Sequence, residues 1–219
     1  KLLMKNSSST VKNISLELGG NAPFIVFSDA DLDAALNGFM MAKFRNAGQT
    51  CISANRLFVH KSVSNIFTSK LLERLKKLKV GDGMNGSDIG PLISNEALKK
   101  VINHVSDAKK NGAKILFGGN KHKLGGLFFE PTLISNVKKN MKVFQKENFG
   151  PIIPLIEFDN DDEVINMSNE TNYGLAAYFY TKNSTTIWKN LNNLDYGMFG
   201  INSGKISTYL NPFGGLKES

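Results

Sequence analysis

The chain has 219 residues, of which 41% are hydrophobic, which is enough for a buried core and excludes wholesale disorder. Its formal net charge of +8 comes largely from lysines that are spread along amphipathic segments, so solvated helix faces explain the charge better than a nucleic-acid site does. No apolar run reaches about eighteen residues, which excludes a membrane-spanning segment, and a single cysteine excludes an internal disulfide.

Apolar runs alternate with helix-period segments along the chain. In chain order, the patterns predict strands at 14–18 and 23–27, a helix after the capping sequence 28–31, a strand at 57–59, helices at 66–78 and 94–112, strands at 115–117 and 151–158, a helix at 161–169, a strand at 175–180, a helix at 184–191 and a strand at 198–201. The helix at 66–78 is predicted to end at Gly81 and Gly83. Strands separated by helices of this length indicate an α/β fold, with a mostly parallel sheet and helices on both faces.

Cys51 is a candidate nucleophile because of the residues around it. Thr50 is predicted to cap a short helix over residues 51–56. A thiol at a helix N-terminus has its thiolate favoured by unpaired N–H groups, and the nearby Arg45 and Arg56 would act in the same direction. The alternative is an inert cysteine in the core, and the cysteine alone does not decide between the two.

Glu17 is a candidate general base. It lies between two leucines and directly before Gly19 and Gly20. A carboxylate flanked by apolar residues is either an outward-facing charge on an alternating strand or a base with a raised pKa in a cleft. The two glycines permit a close backbone approach, as a substrate tunnel needs. Both interpretations stay open on these residues alone.

Five ordered segments carry a family resemblance. They are LELGGN at 16–21, GQTC at 48–51, ENFGP at 147–151, NYGLA at 172–176 and PFGGLKES at 212–219. Their order and spacing resemble the signatures of the aldehyde dehydrogenase superfamily, with Cys51 thirty-four residues after Glu17. The resemblance implies the Rossmann-like α/β catalytic domain of that superfamily.

The resemblance also implies a role for each candidate site residue. Cys51 would attack the aldehyde and carry a thioester, and Glu17 would activate the water that releases the acid. Glu147, Phe149 and Gly20 would contact the nicotinamide end of NAD or NADP. No metal site is implied.

The residues before the cysteine segment narrow the substrate. Arg45 and its neighbours, FRN, resemble succinate-semialdehyde dehydrogenases, in which this arginine holds the far carboxylate of the substrate. Residues 206–208 resemble the loop whose serine, here Ser207, assists that contact. A guanidinium offers a bidentate fork that matches a carboxylate. The alternatives are that Arg45 caps a helix or pairs with Asp33 or Glu147.

The resemblance further predicts the domain organisation. Residues 1–15 are expected to be the remnant of an upstream cofactor-binding domain, and residues 16–219 the catalytic domain. Most of the NAD or NADP site is therefore expected outside this chain, which alone is expected to be inactive. The predicted partner is a small aldehyde, with no nucleic acid or membrane, in a cytoplasmic homo-oligomer. The alternatives are a dehydrogenase for another aldehyde, such as glutarate semialdehyde, and a non-catalytic binding or assembly module.

Overall fold

Seven helices and nine strands follow one another along the chain, and the computed structural model describes all residues, 1–219. The helices are α1 Leu2–Ser7, α2 Leu32–Phe44, α3 Lys61–Lys77, α4 Asn95–Lys110, α5 Lys142–Gln145, α6 Asp161–Asn169 and α7 Ser184–Asn193. The strands are β1 Ala22–Val26, β2 Ala54–His60, β3 Lys114–Phe117, β4 Thr132–Ser135, β5 Ile152–Phe158, β6 Tyr173–Gly174, β7 Ala176–Tyr180, β8 Met198–Ile201 and β9 Leu216–Lys217. No helix is both long enough and apolar enough to cross a bilayer.

Seven of the strands form one sheet in the order β3-β4-β5-β2-β1-β7-β8. Every neighbouring pair in it is parallel except β3 with β4. Strands β6 and β9 form a separate antiparallel pair. The predicted α/β class with a mostly parallel sheet is therefore confirmed, and the antiparallel edge strand is an addition to it.

Both faces of the sheet are buried, as the side chains of β1 show. Phe24 and Val26 lie in a core cluster that includes Phe39 of α2 and Phe67 of α3. The intervening Ile25 lies in a second cluster on the opposite face, with residues of α6. A strand covered on both faces has no polar face, which explains why the sequence of β1 is continuously apolar.

Local capping explains where several helices begin. The Asp31 carboxylate accepts hydrogen bonds from the N–H groups of Asp33 and Ala34, each at 3.0 Å, at the start of α2. The Ser94 hydroxyl accepts a bond from Ala97 N at 3.2 Å at the start of α4. A side-chain acceptor of this kind satisfies N–H groups that a helix leaves free in its first turn.

Several predictions about the elements are wrong. Residues 14–18 form no strand: this segment pairs with no other strand and leaves Ile14 45% and Leu18 43% exposed. Helix α3 begins at Lys61 rather than at residue 66, because the His60 ring accepts the Ser62 N–H and caps it earlier. The helix ends at Lys77, and the following Leu78 is extended, so the predicted glycine cap is absent. The pattern also missed β4, which is only four residues long.

Lys43, near the end of α2, is a fully buried lysine. Its Nζ atom has no hydrogen-bond partner, and no salt bridge reaches it. Burial lowers the pKa of Lys43 to about 7, because an ammonium group loses its hydration inside the protein. The ordinary pKa of an unfolded lysine is about 10.4, so folding is linked to the loss of a proton between these values.

Replacing Lys43 with methionine is expected to stabilise the fold more at neutral pH than at alkaline pH. Above about pH 7 the folded lysine is neutral while the unfolded one still binds a proton, so wild-type stability rises with pH up to about pH 10. We expect Lys43→Met to raise the free energy of unfolding by roughly 2–4 kcal/mol near pH 7, and by less near pH 9. Urea unfolding at both pH values measures this, with the exposed Lys110→Met as control. A gain that did not depend on pH would contradict the prediction.

Candidate active site

The segment that leads to Cys51 has an unusual backbone. After α2, three consecutive residues adopt positive φ angles, namely Asn46 (52°), Ala47 (57°) and Gly48 (78°). Alanine in this left-handed region costs roughly 1–2 kcal/mol, so the packing around the segment must hold it there. A Cβ on Gly48 would lie 2.4 Å from the carbonyl oxygen of Gly150, so only glycine fits at that position.

Gln49 fixes this segment to the neighbouring loop. Its side-chain oxygen accepts a hydrogen bond from Ile93 N at 2.9 Å. Its amide nitrogen donates to the carbonyl oxygens of Asn46, at 3.2 Å, and Pro91, at 3.3 Å. These three bonds hold the turn that presents Cys51.

Cys51 lies in a turn just before β2, so the predicted helix over residues 51–56 is wrong. Strand β2 pairs with β1 on one side and with β5 on the other, and these ladders take the backbone that a helix would need. Arg56 does not act on the thiol as predicted. It is fully buried and donates to the carbonyl oxygens of Asn21 and Ser168 and to the Tyr196 hydroxyl.

The pKa of Cys51 is raised, which corrects the prediction of a favoured thiolate. Partial burial is the main cause, and the negative carboxylates of Glu147 and Glu17 add to it. The N–H groups of Cys51 and Ile52 act in the opposite direction. The thiol therefore carries its proton at neutral pH and has two N–H groups close to its sulfur.

One cavity of about 580 Å³ brings most of the predicted site residues together. Its walls include Glu17, Arg45, Cys51, Glu147, Phe149 and Ser207. These side chains come from four separate parts of the sequence. The cavity is also lined by residues for which the sequence predicted no role in the site, namely Leu18, Gln49, Thr50, Ile52 and Phe213.

Gly20 is the one predicted site residue that does not line this cavity, although it contacts two residues that do. Its N–H donates to Oε1 of Glu147 at 2.9 Å. A Cβ at this position would lie 2.1 Å from the carbonyl oxygen of Cys51. The close backbone approach that was predicted for the two glycines therefore occurs at Gly20, against the backbone of the cysteine.

The segment that carries Glu17 is held from two sides. Glu147 binds the Gly20 N–H, and the Ser219 hydroxyl donates to the Gly19 carbonyl oxygen at 2.7 Å. The Glu17 side chain itself is exposed at the cavity wall. Burial raises the pKa of Glu147, and the hydrogen bond from Gly20 opposes that shift. The cavity thus has one exposed and one half-buried carboxylate near the thiol.

Arg45 forms none of the ion pairs that were considered as alternatives. Asp33 pairs instead with Lys70, and none of the salt bridges of the protein joins Arg45 to Glu147. Arg45 stands at the C-terminal end of α2, where its side chain lines the cavity and is exposed. Its guanidinium is therefore available to a ligand in the cavity.

Asn55 is a buried positioning residue that no motif in the sequence predicted. Its side-chain oxygen accepts the Asn148 N–H at 3.0 Å, and its amide nitrogen donates to the Lys146 carbonyl oxygen at 3.1 Å. The same nitrogen donates to the side-chain oxygen of Asn21. Asn55 therefore ties the segment of Glu147 to the segment that follows Glu17. The only signal in the sequence was a polar residue at the start of an apolar strand.

The sequence of the chain is similar to those of one family of enzymes. Residues 1–219 match the model of the aldehyde dehydrogenase family. The chain is 52% identical over 220 residues to a probable succinate-semialdehyde dehydrogenase of the NADP(+) type from Sinorhizobium fredii, covering 100% of itself and 45% of that protein. It is 50% identical over 218 residues to a glutarate-semialdehyde dehydrogenase from Pseudomonas aeruginosa, covering 99% and 45%.

The solved structures agree with these relatives. The crystal structure of succinate-semialdehyde dehydrogenase from Burkholderia pseudomallei superimposes with a TM-score of 0.97 at 50% identity, over 99% of this chain and 45% of that chain. The chain therefore spans about half the length of the relatives that it matches, at 45% of the first of them.

Proposed function

The chain belongs to the aldehyde dehydrogenase family, and from that premise we propose that the whole protein oxidises succinate semialdehyde to succinate with NAD or NADP as oxidant. The observation that carries this proposal is a single cavity with a thiol, a carboxylate and an unpaired guanidinium in its walls, from Cys51, Glu17 and Arg45. A nucleophile, a base and a site for a distal acid are the three groups that the reaction requires.

The name of a second relative supports a second candidate substrate. The glutarate-semialdehyde dehydrogenase is as similar to this chain as the succinate-semialdehyde enzymes are, at 50% identity. Both aldehydes carry a carboxylate at the far end, and they differ by one methylene. A difference of one methylene changes the binding free energy in a pocket by only about 1–3 kcal/mol. The proposal therefore covers acid-bearing aldehydes as a class, with the four-carbon substrate first.

The first step is attack of the Cys51 sulfur on the carbonyl carbon. The raised pKa of Cys51 keeps the thiol protonated, so the proton must leave as the carbon–sulfur bond forms. The exposed Glu17 carboxylate is the acceptor that we assign, directly or through one water. The product is a thiohemiacetal whose oxyanion lies close to the sulfur. The N–H groups of Cys51 and Ile52 are the donors that we assign to it, because both already face the thiol.

The second part of the reaction converts a thioester to the acid. A nicotinamide ring held near Glu147 and Phe149 would supply the acceptor for the hydride of the thiohemiacetal carbon, and Cys51 would then carry the thioester. Glu17, once it has released the thiol proton to solvent, takes a proton from water while the water oxygen attacks the thioester carbon. The sulfur then leaves and takes that proton, which restores the thiol and the Glu17 carboxylate. The sum is aldehyde plus oxidised cofactor plus water giving acid, reduced cofactor and a proton.

The residues of the cavity fit the nicotinamide end of such a cofactor. Glu147 offers a carboxylate for ribose hydroxyls, and Phe149 lines the same cavity with a φ of 51°. A Cβ at Gly19 would come within 3.0 Å of Oε2 of Glu147, so the glycine leaves that oxygen accessible. The role of Gly20 is to hold Glu147 through its N–H. Family membership also supports the prediction that residues 1–15 belong with a cofactor-binding domain and 16–219 with the catalytic domain.

Replacing Arg45 tests the substrate class. We expect Arg45→Ala, in the complete protein, to raise KM for succinate semialdehyde by about 30-fold or more, because a charge-assisted hydrogen bond contributes roughly 2–5 kcal/mol. Butanal has the same chain length without the acid, and its KM should change by less than about threefold, since it has no group that a guanidinium binds. Steady-state kinetics with both aldehydes gives the comparison.

Arg74→Ala is the matched control, because Arg74 is exposed on α3 and bonds to Asn37 outside the cavity. It should leave both aldehydes unaffected. An equal loss on succinate semialdehyde and butanal in Arg45→Ala would reject the contact with the acid and favour an aldehyde without one. A wild-type protein that oxidises neither aldehyde would favour the non-catalytic module.

A further inference from the structure

A second cavity of about 320 Å³ adjoins the first. The two share four wall residues, namely Arg45, Thr50, Ile52 and Ser207. The second cavity extends from them toward Tyr178, whose hydroxyl donates to the Ile52 carbonyl oxygen at 2.8 Å. A ligand that reaches Arg45 from the thiol therefore arrives at the mouth of this second space.

Charges are separated between the two cavities. Both carboxylates, Glu17 and Glu147, lie in the first cavity together with the thiol. The walls of the second contain no acidic residue and two basic ones, Arg45 and Lys205. A molecule with a neutral carbonyl at one end and an anion at the other matches this arrangement in only one orientation, with the anion directed toward the basic residues.

The backbone that carries Lys205 is held firmly. The Asn202 side chain accepts the Thr181 N–H and donates to the Thr181 carbonyl oxygen, both at 3.0 Å. Gly204 packs so closely on α2 that a Cβ there would lie 2.1 Å from the carbonyl oxygen of Gly38. The long Lys205 side chain therefore extends from a fixed position at the rim. It is exposed and forms no salt bridge with any acidic residue.

We propose that Lys205 is a second cationic contact for the distal anion of the substrate and sets the preference for acid-bearing aldehydes together with Arg45. This inference rests on the proposed function. The two cations differ in their action, because Arg45 offers a directional fork, whereas the lysine is a mobile point charge that stays hydrated. Lys205 therefore acts mainly on the affinity for charged aldehydes, in a manner that salt weakens.

The experiment compares charge changes at two lysines in the complete protein. Lys205→Gln is expected to raise KM for succinate semialdehyde by about 3- to 10-fold, and Lys205→Glu by more than about 10-fold, with kcat nearly unchanged. KM for butanal should stay the same in both variants. Raising the salt concentration should weaken the wild-type preference for the acid, and should do so less in Lys205→Gln.

Lys110→Glu is the matched control, because it makes the same change in net charge at an exposed residue of α4 outside both cavities. A similar rise in KM for the acid in Lys110→Glu would mean that overall charge, and not a local contact, explains the effect, and would overturn the inference. The inference would also be overturned if Lys205→Glu kept the wild-type preference for the acid. The proposed function would remain intact in that case. A wild-type protein without any preference for the acid over butanal would overturn both.

Discussion

Cys51→Ala is expected to lower kcat by about 10³-fold or more, because removal of a nucleophile that forms a covalent intermediate leaves only binding and oxyanion stabilisation. The variant should still fold, since Cys51 is only partly buried and forms no disulfide. Reduction of the cofactor with succinate semialdehyde measures the loss, and circular dichroism checks the fold. Residual turnover above about a tenth of wild type would exclude the proposed role.

The resting protonation state of Cys51 gives a second measurement on the same residue. Because its pKa is raised, alkylation by iodoacetamide should be slow near pH 7 and should accelerate as the pH rises above about 9. Cys51 is the single cysteine, so the label reports on this thiol alone. Fast labelling near neutral pH would show that the thiolate is favoured in the free protein, and that proton transfer to Glu17 is not needed for attack.

Local signals explain why much of the fold was predictable. The apolar run of β1 and the cap residues Asp31 and Ser94 act within a few residues of the elements they define. Two of the errors occur where long-range strand pairing decides the structure. Residues 14–18 alternate like a strand but have no neighbour to pair with, and the segment after Thr50 joins β1 and β5 instead of forming a helix.

The candidate site shows the same division. Family motifs picked out Cys51 and Glu17, but the sequence alone could not show the direction in which each side chain points. Arg56 is five residues from the cysteine and yet binds carbonyl oxygens deep in the core. Lys205 is far from Cys51 in the sequence and still lines the cavity that adjoins the thiol. Electrostatic effects on the thiol therefore required the folded structure.

Glu17→Gln should separate the two halves of the reaction. Loss of the base is expected to lower steady-state kcat by about 10²- to 10⁴-fold, because water must then attack the thioester without proton removal. Attack by Cys51 should also be slower, because solvent water must then take the thiol proton, but it needs to occur only once per site and is expected to stay faster than hydrolysis of the thioester. Rapid mixing should therefore show close to one equivalent of reduced cofactor per site, followed by a slow phase, while Cys51→Ala should show no burst.

Two further variants make the assignment of the base specific. Glu73→Gln removes an exposed carboxylate on α3 that pairs with Lys76, and it should behave like wild type. Glu147→Gln removes the other carboxylate of the cavity, which binds the Gly20 N–H and is expected to weaken cofactor binding. If the burst followed by a slow phase appeared in Glu147→Gln and not in Glu17→Gln, the half-buried carboxylate would be the base. Glu17 would then only line the cavity. The reason is that the thioester accumulates only when the group that activates water has been removed.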